Sequence, residues 1–131
     1  MGLDMTIYKT QKGEKINWRN RDEINEVAYW RKFNALHAWF VKHVQNGEDD
    51  CEEYIIPRAQ LDYLVTYILE PISKHPEFAP NLLPTESGFF FGGTEYNEYY
   101  FDNVKKSIIT IRSILEDTDF ETEDLYYSAS W

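Results

Sequence analysis

The chain has a single cysteine, Cys51, among its 131 residues, so an intrachain disulfide is excluded. One lone thiol is typical of proteins that work in a reducing compartment. No apolar run approaches the roughly 20 residues that a membrane-spanning helix needs, so the sequence predicts no membrane partner. These absences favour a cytoplasmic protein.

Positive charge is also scarce. The chain has 13 lysines and arginines against 23 aspartates and glutamates, which gives a formal net charge of −10. Such a surface repels a phosphate backbone, so binding of DNA or RNA polymers is disfavoured. Because the acidic residues are spread along the chain, a solvated surface is favoured over mimicry of nucleic acid.

Motifs for metal binding and catalysis are missing from the sequence. His37 and His43 are six residues apart, which places them on different sides of a helix, and no zinc or calcium ligand spacing occurs. There is no nucleophile elbow, phosphate-loop lysine or dinucleotide fingerprint. The sequence therefore predicts no metal and no cofactor, and it favours binding over catalysis.

Aromatic residues, by contrast, make up 17% of the chain. Three consecutive phenylalanines, Phe89, Phe90 and Phe91, lie between glycines in the segment 83–96. Glycine allows a close approach of the backbone, and aromatic rings stack on planar ligands. The segment predicts one wall of a ligand site, with a short buried strand followed by a tight turn as the structural alternative.

The apolar periodicity predicts a single α+β domain, with about three helices packed on a small, mostly antiparallel sheet. Strands are predicted at residues 3–9, 54–56 and 125–131. Helices are predicted over residues 23–45, 58–74 and 97–116. A further short strand near Ile16 is an option, Pro71 is expected to kink or end the second helix early, and Trp131 is expected to be buried.

Asn34 and His37 lie within the apolar sector of the first predicted helix, between Trp30 and Val41. A buried amide or imidazole must find hydrogen-bond partners or lose about 1–3 kcal/mol. One interpretation is that both side chains bond to neighbouring backbone or tyrosines and lock the core. The other is that they reach into a pocket lined by at least one of the phenylalanines, where an asparagine can pair with a base edge.

In the second interpretation, Phe90 and Tyr96 stack on the ligand, and Arg31 or Arg58 meets its phosphate. The ligand is then a small nucleotide, held by aromatic faces, an amide, an imidazole and a cation. The predicted ligand-binding residues are Arg31, Asn34, His37, Arg58, Thr85, Phe89, Phe90, Phe91, Tyr96 and Tyr99.

The sequence resembles a family of small proteins of tailed phages and prophages, over nearly the whole chain. The resemblance rests on the opening segment 1–5, Tyr29-Trp30-Arg31-Lys32, Asn34, His37, Trp39-Phe40, Asp49-Asp50-Cys51, Leu82-Leu83-Pro84-Thr85, Gly88-Phe89-Phe90-Phe91-Gly92, the aromatic segment 96–101 and the tail 126–131. The chain departs from the pattern at Gly93 and Ala129, where small hydroxyl residues are expected. A role for hydroxyls at these two positions is weakened accordingly.

The resemblance implies a phage accessory protein expressed in the cytoplasm of the bacterial host. Some accessory phage proteins with aromatic pockets sequester the nucleotide signals of host immunity. The leading hypothesis is therefore a sponge for a small nucleotide, such as a cyclic oligonucleotide or a cyclic ADP-ribose signal. A protein–protein inhibitor of a host enzyme is a second hypothesis, and an enzyme that degrades the nucleotide, with His37 as general acid–base, is a third. A homo-oligomer is left open.

Overall fold

A computed structural model describes residues 2–87 and 93–131 of the chain. Its strands are β1 (Asp4–Gln11), β2 (Asn25–Arg31), β3 (Tyr54–Ile55) and β4 (Glu123–Ser130). In the described part of the chain they form an antiparallel sheet in the order β2-β1-β4-β3. Helices cover one side of this sheet, so the predicted α+β class is confirmed.

The centre of the sheet is the pair β1 and β4. Apolar residues alternate along β1, and Met5 and Ile7 are fully buried beneath the helices. In the register of the pair, Met5 lies opposite Ala129 and Ile7 lies opposite Tyr127, which is also fully buried. The predicted first and last strands are confirmed, but the predicted burial of Trp131 is wrong, because this residue lies beyond the end of β4 with 41% of its surface exposed.

The helices share one hydrophobic core with this central pair. They are α1 (Asn34–His43), α2 (Arg58–Tyr63), the π-helical segment Leu64–Leu69, α3 (Glu70–Lys74), the short α4 (Ala79–Leu82) and α5 (Glu98–Asp117). The helical run continues from Arg58 to Lys74, so the expectation that Pro71 ends this helix early is wrong. Pro71 directly follows the π-helical segment, where the Glu70 amide bonds five residues back to the carbonyl of Val65. The side chain of Asn97 caps α5 by accepting a hydrogen bond from the Tyr100 amide.

The predicted helix over residues 23–45 is wrong in its first half. Residues 25–31 form β2, in which Ala28 and Trp30 are buried while Tyr29 is exposed, and this alternation is the period of a strand. Lys32 then adopts a left-handed conformation with φ of 55°, and α1 begins two residues later. The large apolar residues of this region fit both periods, so the pattern alone favoured one long helix.

The other side of the sheet is partly covered by the loop that joins β1 to β2. Ile16 packs on Tyr8 and Tyr126 there, but it lies in the loop, so the optional strand near Ile16 is wrong. The open side of the sheet thus carries a small aromatic cluster, and the larger core lies between the sheet and the helices.

Among residues 2–87 and 93–131, no helix is both long and apolar enough to cross a bilayer.

Candidate functional site

The first turns of α1 place Asn34 and His37 on one side of the helix, three residues apart. They are 4% and 1% exposed, and both line a cavity of about 290 Å³. The other described residues that line this cavity are Ala38, Val41, Lys42, Gly47, Asp49, Glu86 and Ser87. The predicted burial beside a shared cavity is confirmed, whereas the predicted contact with Phe89, Phe90 or Phe91 lies outside the described residues.

His37 uses both ring nitrogens within the protein. Its Nδ1 lies 2.7 Å from the Tyr127 hydroxyl, and its Nε2 lies 2.9 Å from Oδ1 of Asp49. The indole N–H of Trp131 donates to the same carboxylate oxygen over 3.0 Å. We call Tyr127, His37, Asp49 and Trp131 the His37 relay, because each is hydrogen-bonded to the next.

Burial decides the protonation states in the His37 relay. It lowers the pKa of His37, against the opposing effect of the Asp49 carboxylate. Burial also raises the pKa of Tyr127 well above its usual range, and the charge of Asp49 raises it further. The hydroxyl of Tyr127 therefore donates to Nδ1 of a neutral imidazole, and Nε2–H donates to Asp49. The imidazole thus holds the carboxylate of Asp49 in place beside the cavity.

Asn34 holds the backbone on both sides of the segment 88–92. Its Nδ2 donates to the carbonyl of Gly93 over 2.7 Å, and its Oδ1 accepts from the amide of Glu86 over 2.8 Å. These bonds satisfy a buried amide with backbone partners, which is the structural interpretation of this residue. We call Asn34 with Glu86 and Gly93 the Asn34 clamp.

Thr85 and Tyr96 reinforce the Asn34 clamp. The hydroxyl of Thr85 donates to the carbonyl of Thr94 over 2.8 Å, and the amide of Thr85 donates to the hydroxyl of Tyr96 over 3.2 Å. The ring of Tyr96 packs edge-on against Tyr100, whose own hydroxyl donates to the carbonyl of Leu83. Thr85 thus lines a cavity together with Asn34, and Tyr96 is bonded to Thr85.

Asn34 also lines a second, smaller cavity of about 130 Å³ on the side of α5. This cavity is lined by Lys32, Phe33, Asn34, Thr85, Gly93, Glu95, Asn97, Tyr99 and Tyr100. Tyr99 is half-exposed, and its hydroxyl donates to the backbone carbonyl of Arg31. Asn34, Thr85 and Tyr99 are therefore brought together, with Arg31 at the edge of the group.

Arg58 is not brought to these cavities. Its side chain pairs with Asp62 over 3.5 Å and lies 5.7 Å from the ring centre of Phe120. Neither described cavity has Arg58 in its lining. The cationic side chains that line them are Lys42 in the larger one and Lys32 in the smaller one.

Sequence reasoning missed Asp49, which is not among the predicted ligand-binding residues. After α1, Asn46 and Gly47 adopt left-handed conformations with φ of 56° and 86°, and the chain reverses so that Asp49 returns to His37. The Asn-Gly pair is a visible signal for the reversal. No pattern in the sequence indicates which side chain of α1 the carboxylate would reach.

Comparison with known proteins yields no relative: no family model matches the sequence, and no curated protein or solved structure matches it. In the part of the chain that the structure describes, no group of three His, Cys, Asp or Glu residues is placed to hold a metal ion. What the site offers is a fixed carboxylate and an exposed lysine on a cavity, with Asn34 bonded to the backbone of Glu86 and Gly93 beside them. These features suit recognition of a small polar ligand.

Proposed function

We propose that this chain is a binding protein for a small nucleotide, with the cavity beside Asn34 and His37 as its site. In this proposal it acts as a phage accessory protein in the cytoplasm of the bacterial host and sequesters a nucleotide signal of host immunity. The observation that carries the proposal is the Asn34 clamp, because Asn34 lines both cavities and bonds to the backbone of Glu86 and Gly93, which flank the GFFFG segment in the sequence.

The groups around Asn34 fit the two parts of a nucleotide. In the larger cavity, Asp49 offers hydrogen-bond acceptors and Lys42 offers a donor, which suits the edge of a base. In the smaller cavity, Lys32 is the cation that a phosphate would meet. The phenylalanines would supply the faces on which the base stacks, at about 1–3 kcal/mol per base.

The bonding of His37 supports sequestration over degradation. A general acid or base needs a ring nitrogen within hydrogen-bond reach of the reacting group. Here Nδ1 is bonded to Tyr127 and Nε2 is bonded to Asp49, so the ring is suited to hold its neighbours in position. His37 is accordingly assigned a positioning role within the binding site.

Inhibition of a host enzyme is the second candidate function. Tyr63 and Tyr67 project from the helical stretch that starts at Arg58, with 48% and 63% of their surfaces exposed and ring centres 5.3 Å apart. Exposed tyrosines are enriched at protein interfaces, where they act as anchors. This pair would be the contact surface of an inhibitor.

The test is to incubate the purified protein with a nucleotide panel that includes cyclic di-GMP, cyclic di-AMP and cyclic ADP-ribose. Unbound nucleotide is removed, the protein is denatured by heat, and the released compound is identified by chromatography and mass spectrometry. Release of an intact nucleotide supports the sponge, and release of a cleaved product supports the enzyme. If none of the panel is retained, the nucleotide proposal is wrong.

Two variants separate the candidate surfaces in the same assay. Asn34→Ala is expected to lower the amount of nucleotide retained, because the clamp loses both of its hydrogen bonds. Tyr67→Ala is the matched control, since its exposed ring lies outside both cavities. Equal retention of nucleotide by the two variants would show that the binding site does not include Asn34.

A further inference from the structure

Of the two oxygens of the Asp49 carboxylate, only Oδ1 accepts hydrogen bonds from the described residues. Both hydrogen bonds that Asp49 receives from described residues, from His37 Nε2 and Trp131 Nε1, end on Oδ1. The Asp49 side chain is 31% exposed and lines the cavity of about 290 Å³. Two donors on Oδ1 fix the orientation of the carboxylate and leave Oδ2 as the acceptor for a ligand.

The cavity has the size and polarity of a site for one base. Its volume of about 290 Å³ lies at the lower end of the range for ligand pockets, which suits a single ring system better than a whole dinucleotide. Ala38 and Val41 supply an apolar wall, while Lys42 is the cationic donor beside it. Glu86 adds a second carboxylate to the lining of this cavity.

We propose that Asp49 selects guanine, accepting hydrogen bonds from the amino edge of the base while Lys42 donates to its O6; this inference rests on the proposed nucleotide-binding function. Along one edge guanine carries the acceptor O6, then N1–H, then the 2-amino group, so the two donors meet Asp49 while O6 meets Lys42. Adenine has an unprotonated N1 at the same place, and its lone pair would be set against a carboxylate. Hypoxanthine keeps N1–H and O6 but lacks the amino group.

His37 and Trp131 are positioning residues in this scheme. Neither donates to the base, and both hold Oδ1 so that Oδ2 meets the ligand. Trp131→Phe removes one of the two donors and keeps an aromatic ring of similar shape. This change is expected to lower the ratio of GMP to AMP affinity without abolishing nucleotide binding. If the role of Trp131 were merely structural, the ratio would not change.

The first test varies the ligand and leaves the protein unchanged. Calorimetric titration of the full chain with GMP, IMP and AMP, and with cyclic di-GMP against cyclic di-AMP, measures the preference directly. The guanine compound of each set is expected to bind roughly 10- to 100-fold more tightly than the adenine compound, the effect of a hydrogen bond to a charged group. IMP is expected to fall between GMP and AMP.

The second test varies the carboxylate. Asp49→Asn is expected to reduce the ratio of GMP to AMP affinity to near one, because an amide presents a donor as well as an acceptor to the base. Asp50→Asn is the matched control, since this neighbour is exposed and bonds to Tyr54 instead, and it is expected to keep the ratio of the natural protein. If Asp49→Asn does not fold, the ligand series alone decides.

The outcomes separate this inference from the proposed function. Equal binding of guanine and adenine compounds by the natural protein overturns the guanine inference and leaves nucleotide binding in place. An unchanged preference in a folded Asp49→Asn variant also overturns it. If no nucleotide in the series binds, both the inference and the proposed function are wrong.

Discussion

Asn34 and His37 lie one turn apart on α1 and are buried to a similar degree, yet they hold different parts of the molecule. The partners of Asn34 in the Asn34 clamp are backbone atoms of Glu86 and Gly93. The described partners of His37 are the side chains of Tyr127, in the central strand β4, and of Asp49. Asn34 thus bonds to two exposed residues outside the helices and strands, whereas His37 bonds to the core residue Tyr127 as well as to Asp49.

This difference predicts a separation of local and global stability. Loops open at a lower free-energy cost than core strands, since fewer buried contacts are lost. A change at Asn34 is therefore expected to act first on the segments around Glu86 and Gly93 and on ligand binding. A change at His37 is expected to act on the whole fold, because β4 pairs with both β1 and β3.

The largest effect is expected from removing the strand to which His37 is bonded. Deletion of residues 126–131 takes away Tyr127, which is fully buried, and Ala129, which is 4% exposed, and leaves residues 4–8 of β1 without their partners in β4. Each large buried side chain contributes about 2 kcal/mol, so the truncated chain is expected to lose its cooperative unfolding transition. Thermal melting followed by circular dichroism tests this, and a truncated chain that melts at the original temperature would contradict it.

The next largest effect is expected from His37→Ala. This variant leaves a cavity in the core and takes the acceptor away from the buried Tyr127 hydroxyl, for an expected loss of about 2–4 kcal/mol in the free energy of unfolding. Lys42→Ala, an exposed change on the same helix, is the control and is expected to stay within about 0.5 kcal/mol. Urea denaturation measures both, and equal midpoints would remove the His37 relay as a source of stability.

A smaller global effect is expected from Asn34→Ala. Its cost in the free energy of unfolding is expected to be about 1–2 kcal/mol, since two hydrogen bonds to backbone at the edge of the core are lost. Hydrogen exchange gives the sharper measurement, because the Glu86 amide loses its acceptor and is expected to exchange faster than amides of β1. Uniform acceleration over the whole chain would show that the Asn34 clamp is part of the global fold after all.

The smallest effect is expected from pH. Because burial depresses the pKa of His37 below its usual 6.5, the unfolded chain takes up a proton first as the pH falls. The stability contributed by the neutral ring is therefore complete above about pH 6.5 and is lost as the pH falls towards the depressed pKa. Asp49 opposes this loss, since its carboxylate favours the imidazolium and moves the pKa back up.

His37→Gln is expected to flatten this part of the stability curve, measured by urea denaturation between pH 7 and pH 5. The pKa of the more exposed His43 is also lowered, by burial and by Lys42, so His43→Gln is the matched control. A larger flattening in His43→Gln than in His37→Gln would contradict the assignment of a neutral, buried His37.

The spacing of apolar residues correctly predicted the two longest helical stretches. Residues 58–74 and 97–116 carry long runs at helical spacing, and the observed bounds differ from the predicted ones by one residue at most. The helix predicted for residues 23–33 was wrong, because the spacing of Tyr29 and Trp30 fits a helix and a strand equally well. Pairing with β1, in which Trp30 lies opposite Met5, decides for the strand.

The sequence by itself determined the α+β class, the buried alternation of β1 and the burial of Asn34 and His37, because each depends on the spacing of apolar residues along a short segment. Only the tertiary structure decided what these two side chains bond to. Asp49 and Tyr127 meet His37 from positions 12 and 90 residues away in the chain. Contacts over such separations depend on how the turns and the sheet bring distant segments together, and burial then requires that the polar groups which meet there satisfy one another.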